Sequence, residues 1–92
     1  MNAGQIWKFP LTGSSPIAVQ MPKDAEILSA QFQRGKICIW ACVRPWKETE
    51  QRQFHIYGTG EQMHIPEGDY IGTVQAAGGD LVWHIYDVTE SY

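Results

Sequence analysis

An aromatic ring flanked by cations is the feature of this sequence best suited to bind a ligand. Arg44, Trp46 and Lys47 lie close together in one polar stretch, and Arg52 follows near its other end. An indole can stack against a planar ring, and guanidinium and ammonium groups bind anions. The combination suits an anionic group joined to a flat ring, as in a nucleotide.

Two residues of the next predicted strand, His55 and Tyr57, would extend this surface. The predicted ligand-binding residues are therefore Arg44, Trp46, Lys47, Arg52, His55 and Tyr57. A second interpretation of the same stretch remains open. In it the stretch is a solvated loop, Trp46 folds back on the core, and Glu48 and Glu50 balance the positive charges.

The three histidines, His55, His64 and His84, do not have the spacing of a metal site. None belongs to a His-x-His or Cys-x-x-Cys motif, and no carboxylate lies at a motif distance from them. Because His55 and His84 fall in the middle of predicted strands, we expect hydrogen-bonded sheet residues there. The sequence therefore predicts no metal and no cofactor.

Nucleophilic catalysis has no support in the sequence either. No serine lies in a Gly-x-Ser-x-Gly motif. Cys38 and Cys42 fall on one predicted strand with apolar neighbours, where burial keeps a thiol neutral and unreactive. Their spacing along a strand separates the Cα atoms by roughly 13 Å, and a disulfide needs about 7 Å or less. We therefore predict free thiols in a protein that is not an enzyme.

The charge balance and the length disfavour several classes of protein. Ten acidic residues against seven basic ones give a net charge of -3, which disfavours binding to duplex nucleic acid. No apolar run is long enough to span a membrane, and the start of the sequence does not resemble a signal peptide. We therefore expect one domain over residues 1–92, located in the cytoplasm and without contact with a membrane.

The strongest structural pattern is a hairpin at the centre of the sequence. Residues 27–33 alternate between polar and apolar, with Leu28, Ala30 and Phe32 on the apolar face, and Arg34 and Gly35 form the turn. Residues 37–43 return with apolar side chains on both faces. A strand of this kind is typical of the middle of a sheet that is covered on both sides, by the rest of the protein or by another copy.

Shorter strand patterns fill the rest of the sequence. Residues 6–11 and 17–21 indicate an N-terminal hairpin, residues 44–53 a long polar loop, and residues 76–80 the turn of a second clear hairpin. Further strands are predicted from residue 54, over 70–75 and over 81–88. About seven short strands separated by turns predict an all-β fold, either a small antiparallel β-sandwich or a barrel.

The aromatic content favours self-association. Trp7, Trp40 and Trp83 occupy predicted inward positions, where they would fill the core. The strands over 37–43 and 81–88 each have two apolar faces, which is more than a sandwich of this size needs to bury. This surplus of apolar surface predicts a homo-oligomer.

Several segments together form a pattern that is similar to a known family. They are IWKFPL at 6–11, ILSAQ at 27–31, IWA at 39–41, IYGTG at 56–60, YIGTVQ at 70–75 and LVWH at 81–84. The pattern resembles a family of small uncharacterised β proteins of phages and prophages. The resemblance implies an accessory phage protein in a bacterial cytoplasm, and it implies no particular catalytic or binding residues.

In that context we expect a non-enzymatic binding protein that counters host defence. The first expectation is an oligomeric pocket that sequesters a nucleotide-type immune signal. The alternatives are an inhibitor that binds a host defence protein directly, through its apolar sheet face or a strand edge, and a minor structural or assembly protein of the virion.

Overall fold

Seven β-strands dominate the computed structural model, which describes residues 3–63 and 68–91. They are β1 (Gln5–Leu11), β2 (Ile17–Pro22), β3 (Glu26–Gln33), β4 (Lys36–Val43), β5 (Thr49–Gly58), β6 (Asp69–Ala76) and β7 (Leu81–Asp87). Helical structure in this part of the chain amounts to two short 3₁₀ turns, Ala77–Gly79 and Thr89–Ser91. Within the same residues no helix is long and apolar enough to cross a membrane. The all-β prediction is confirmed.

The strands form two antiparallel sheets that pack face to face as a small sandwich. One sheet has three strands in the order β1-β4-β3, and the other has four in the order β2-β5-β7-β6. The predicted hairpins β3-β4 and β6-β7 are present, and β4 is central in its sheet. The inward side chains of β4, Ile37, Ile39, Ala41 and Val43, are buried in the core between the sheets.

The four-stranded sheet contributes the other half of the core. Phe54 and Ile85, on the neighbouring strands β5 and β7, are completely buried. The two sheets also meet where β3 contacts β6. Gly72 has no side chain there, and a single carbon added to it would lie 3.9 Å from Ala30 Cβ. Small residues at these two positions let the sheets approach closely.

The predicted N-terminal hairpin is wrong. β1 pairs with β4 in the three-stranded sheet, whereas β2 pairs with β5 in the four-stranded sheet. The turn between β1 and β2 therefore carries the chain from one sheet to the other. Turn composition marks where a strand ends, but it does not identify the pairing partner, which here comes much later in the sequence.

The predicted long loop over residues 44–53 is wrong in its second half. β5 begins at Thr49, so the connection comprises residues 44–48. Glu50 and Arg52 are paired with the inward-facing positions of β2, in line with the buried Phe54. Because polar residues occupy these inward positions of β5, the sequence lacks the alternation of polar and apolar residues that is typical of a strand. The start of β5 therefore resembles a loop in sequence.

A β-bulge changes which residues of β3 face the core. The register with β4 shifts between Ile27 and Ser29, so Leu28 is the extra residue and is 47% exposed. Ile27 packs against the core in its place. Phe32, also predicted to face inward, is 40% exposed near the end of the hairpin.

The predicted burial of three tryptophans is correct for one of them. Trp83 packs against the core. Trp7 is 38% exposed on the edge strand β1, and Trp40 lies half-buried opposite Lys8 on the outer face of the three-stranded sheet. A period of two identifies the residues that share a face, but it does not say which face is covered.

The bulge predicts different effects for two adjacent substitutions. Ile27→Ser should lower the free energy of unfolding by about 2 kcal/mol, because it removes a large part of a side chain that packs against the core. Leu28→Ser should change it by less than about 0.5 kcal/mol, because this side chain is largely in solvent. Urea denaturation followed by tryptophan fluorescence measures both values. Equal losses would contradict the bulge.

Candidate functional site

The loop over residues 44–48 is attached to the turn between β2 and β3. Lys23 N donates a hydrogen bond to Glu48 O at 2.9 Å, and Lys23 Nζ lies 2.9 Å from Glu48 Oε1. Lys47 Nζ donates to Asp24 Oδ2 at 2.5 Å, and this hydrogen bond lowers the pKa of Asp24. The predicted ligand-binding ammonium of Lys47 is therefore already paired with a carboxylate.

Trp46 and Arg44 remain accessible to a ligand, as the sequence predicts for this loop. Trp46 is 49% exposed, so much of its indole remains accessible to a planar ligand. Arg44 is also exposed. The loop thus offers a ring and a guanidinium group, while its lysine is engaged with the neighbouring turn.

Arg52 points into the sandwich. Its Nη2 donates to Asp87 Oδ2 at 2.5 Å, and its Nη1 donates to Ala25 O at 3.0 Å. The side chains of Arg52 and Asp87 are only 14% and 12% exposed. The positive charge of Arg52 is therefore compensated within the fold by Asp87.

Asp87 is the centre of a wider hydrogen-bond network. Its Oδ1 accepts from Thr89 N at 3.0 Å and from Thr89 Oγ1 at 2.6 Å, and Thr89 Oγ1 accepts in turn from Gln53 N at 3.1 Å. Burial alone would raise the pKa of Asp87, but the hydrogen bonds from Thr89 and Arg52 outweigh it and lower the pKa. The ionised carboxylate ties β5, β7 and the C-terminal 3₁₀ turn together.

His55 and Tyr57 lie on the other face of β5, because side chains alternate along a strand. Their rings are parallel, with an interplanar angle of 3° and centroids 4.0 Å apart. Tyr57 is only 4% exposed although it lies outside the sandwich. The six predicted ligand-binding residues therefore do not form one surface, since the stacked pair and Arg52 are on opposite sides of the sheet.

The two strands beyond β5 add aromatic rings to the stacked pair. Tyr86 of β7 meets Tyr57 edge-on with ring centroids 6.0 Å apart, and Tyr70 of β6 meets Tyr86 in the same way at 5.4 Å. Sequence reasoning missed Tyr70 and Tyr86 as site residues. Alternation along β6 and β7 identifies which residues share a face with Tyr70 and Tyr86. The sheet order β5-β7-β6 is needed to place these two tyrosines beside Tyr57.

His84 links three strand segments on the same face. Its Nε2 lies 2.8 Å from Thr59 Oγ1, and its Nδ1 lies 3.0 Å from Thr73 Oγ1. Thr73 Oγ1 is also 2.5 Å from the hydroxyl of Tyr70. The prediction that His84 is a hydrogen-bonded sheet residue is confirmed.

An open cleft of about 300 Å³ lies beside the stacked pair. It is lined by His55, Tyr57, Glu61, Gln62 and Met63. Glu61 Oε1 accepts a hydrogen bond from Gly58 N at 2.9 Å, which orients the carboxylate. The cleft therefore combines an aromatic surface with a carboxylate and an amide, and these lining residues include no lysine or arginine.

Metal ligation finds no support in the part of the chain that the structure describes. Those residues contain no group of three or more histidines, cysteines, aspartates or glutamates arranged to hold an ion. His64, the third histidine considered as a ligand, lies outside them. Cys38 and Cys42 lie on β4 as free thiols, as the sequence predicts.

Comparison with known proteins identifies a family but no activity. A family described as a domain of unknown function, DUF7352, matches residues 2–92. No curated protein and no solved structure matches the chain. The resemblance to phage proteins therefore stays a prediction.

The network around Asp87 predicts how stability depends on pH. The pKa of Asp87 is lower in the folded protein than in the unfolded chain, where it is about 3.9. Its stabilising contribution is therefore complete above about pH 5 and is lost as the pH falls through the folded-state pKa. Asp87→Asn should cost about 3 kcal/mol at neutral pH, because it removes the nearest charge partner of the largely buried Arg52, and Glu50 Oε1 lies 3.9 Å from Arg52 Nη1, too far to replace it.

Urea denaturation of wild type and Asp87→Asn at several values between pH 3 and pH 7 measures this effect. The two stability curves should converge as the pH falls. Glu48→Gln is the matched control, because it removes a carboxylate whose ion pair with Lys23 is exposed. A gap between wild type and Asp87→Asn that does not change with pH would contradict the role assigned to the carboxylate.

Proposed function

The chain belongs to the DUF7352 family, and we propose that it is a non-enzymatic binding protein that sequesters a flat, nucleotide-type ligand. The observation that carries the proposal is the parallel stack of His55 and Tyr57 beside an open cleft of about 300 Å³. A planar base that enters the cleft would stack on the imidazole of His55, because Tyr57 is only 4% exposed. Base–aromatic stacking contributes about 1–3 kcal/mol per base and tolerates different bases.

The polar groups of the cleft suit the edge of a base. The Glu61 carboxylate accepts hydrogen bonds, and the Gln62 amide both donates and accepts them. Because the described residues that line the cleft include no lysine or arginine, we take the base as the recognised part, with any phosphate extending into solvent. A ligand bound in this way needs no catalytic group, which supports retention of the ligand without chemical change.

The loop over residues 44–48 is the competing location for the same ligand. Trp46 and Arg44 are exposed and would accept a base and a phosphate. A phosphate would, however, have to displace Asp24 from Lys47, and Arg52 lies between the sheets, bound to Asp87. The cleft is favoured because it places a parallel aromatic stack beside an open volume of about 300 Å³.

The biological role in this proposal follows from the resemblance to small phage proteins. A phage protein that binds a nucleotide-type immune signal in the cytoplasm of an infected bacterium would counter host defence by lowering the free concentration of that signal. Sequestration of this kind requires affinity and abundance, and it requires no turnover.

A homo-oligomer belongs to the same proposal. The outer face of the three-stranded sheet carries Ile6, which is 65% exposed, and the half-buried Trp40. Lys8 and Glu26 lie on the two edge strands of this face. A two-fold pairing of two copies would therefore bring the lysine of one near the glutamate of the other while covering the apolar side chains.

Direct inhibition of a host defence protein is the second candidate function, and the same exposed face favours it. In that case the occupant of the face is a host protein and the chain is a monomer in solution. The oligomeric state of the purified protein separates the two functions.

The first prediction of this proposal concerns ligand binding. A thermal-shift screen should find stabilisation by cyclic or linear nucleotides, by about 3 kcal/mol when the ligand is about 100-fold above its Kd. The nucleoside of an active compound should bind about as well as its nucleotide. His55→Ala should weaken binding at least about fivefold, whereas His55→Phe should retain it because a flat ring remains.

The double variant Arg44→Ala, Trp46→Ala is the matched control and should bind normally. The ligand should be recovered unchanged after release, as mass spectrometry of the released compound would test. Loss of binding in the double variant with normal binding in His55→Ala would move the site to the loop. Conversion of the ligand would overturn the non-enzymatic function.

The second prediction concerns assembly. Wild-type protein should sediment as an oligomer, and Ile6→Lys should sediment as a monomer, because a charge would be buried in the apolar contact. Leu81→Lys, which changes an exposed leucine on the other sheet, should leave the oligomer intact. A monomeric wild type would contradict self-association and favour the second candidate function.

A further inference from the structure

A second cleft, of about 500 Å³, lies where β5 ends and the β6-β7 hairpin turns. Its lining includes Thr59, Glu61, Asp80, Leu81 and Trp83. Among the described residues, Glu61 is the one that both clefts share, so the second cleft adjoins the first without using the His55–Tyr57 stack. None of the functions considered above assigns a role to it.

The apolar part of this cleft is held in place. Trp83 packs against the core and is half-buried, so its indole is anchored while part of it lines the cleft. Gly58 makes this placement feasible, because a side-chain carbon there would lie 3.3 Å from Trp83 Cζ3 and 3.2 Å from Glu61 Oε1. Leu81 is 48% exposed beside the indole. The cleft therefore has an apolar wall formed by an anchored indole and Leu81.

The polar part of the cleft consists of hydrogen-bond acceptors and a hydroxyl. Glu61 is oriented by the hydrogen bond from Gly58 N at 2.9 Å, and Asp80 adds a second carboxylate. Thr59 Oγ1 is positioned by His84 Nε2 at 2.8 Å. No lysine or arginine is among the lining residues, so the carboxylates repel an anion and favour a neutral ligand rich in O–H donors.

We propose that this cleft binds an uncharged saccharide. The C–H face of a sugar ring is apolar and weakly positive, which matches the negative face of an indole, and its hydroxyls project around the rim towards acceptors. The ring would pack on Trp83 while hydroxyl groups donate to Glu61 and Asp80. An apolar wall with a few oriented polar groups is the usual composition of a small-molecule site.

An NMR titration of nitrogen-15-labelled protein tests the proposal with glucose, galactose and N-acetylglucosamine at up to tens of millimolar. At least one sugar should shift the indole N–H signal of Trp83 and the backbone amide signals of Gly58 and Thr59. Asp80→Asn should weaken that binding about tenfold, which corresponds to the loss of one hydrogen bond to a charged group. Glu90→Gln, an exposed acidic residue outside the cleft, should leave it unchanged.

Three outcomes would overturn the saccharide site. They are no shift at these signals with any of the sugars, equal affinity in Asp80→Asn and wild type, and shifts produced by inorganic phosphate or putrescine but by no sugar. The saccharide proposal can be tested independently of the nucleotide proposal. His55→Ala should leave the sugar titration unchanged, so a negative result for one ligand does not contradict binding of the other.

Discussion

The buried ion pair between Arg52 and Asp87 determines how one end of the sandwich is built. It joins two neighbouring strands, β5 and β7, and a further hydrogen bond from Arg52 holds the carbonyl of Ala25 before β3. A charge with so little exposure is tolerated only because every partner is in place. The same pair occupies the guanidinium group of Arg52 within the fold, whereas His55 and Tyr57 lie on the opposite face of β5.

The sequence predicted the parts of this fold that depend on neighbouring residues. The β3-β4 hairpin, the central position of β4 and the β6-β7 turn follow from alternation and turn chemistry over short stretches. The predicted N-terminal hairpin is wrong because β1 and β2 pair with β4 and β5, which come much later in the sequence. The start of β5 was missed because Arg52 is inward and charged, and a local hydrophobic pattern has no means of anticipating Asp87.

Part of the candidate site was predictable from the sequence. His55 and Tyr57 were identified as ligand-binding candidates, and the structure places them together as a parallel stack. They do not share a surface with Arg52. Side chains point to alternate faces along β5, and Arg52 lies on the face opposite to that of His55 and Tyr57. Tyr70 and Tyr86 reach the stack only through the order of three strands, which is a property of the whole chain and not of any segment.

The chain crosses from one sheet to the other three times, between β1 and β2, between β2 and β3, and between β4 and β5. These crossings affect how fast the protein folds. The hairpins β3-β4 and β6-β7 need only short loops to close, whereas β1-β4 and β2-β5 join residues far apart in sequence. Closing long loops costs conformational entropy before contacts compensate for it, so folding should be slow for a domain of this size. The ion pair between Arg52 and Asp87 joins β5 and β7, which are separated in sequence by β6, so it can form only once the second half of the chain has collapsed. The two hairpins should therefore form first, and the N-terminal strands should be the last to dock and the first to detach.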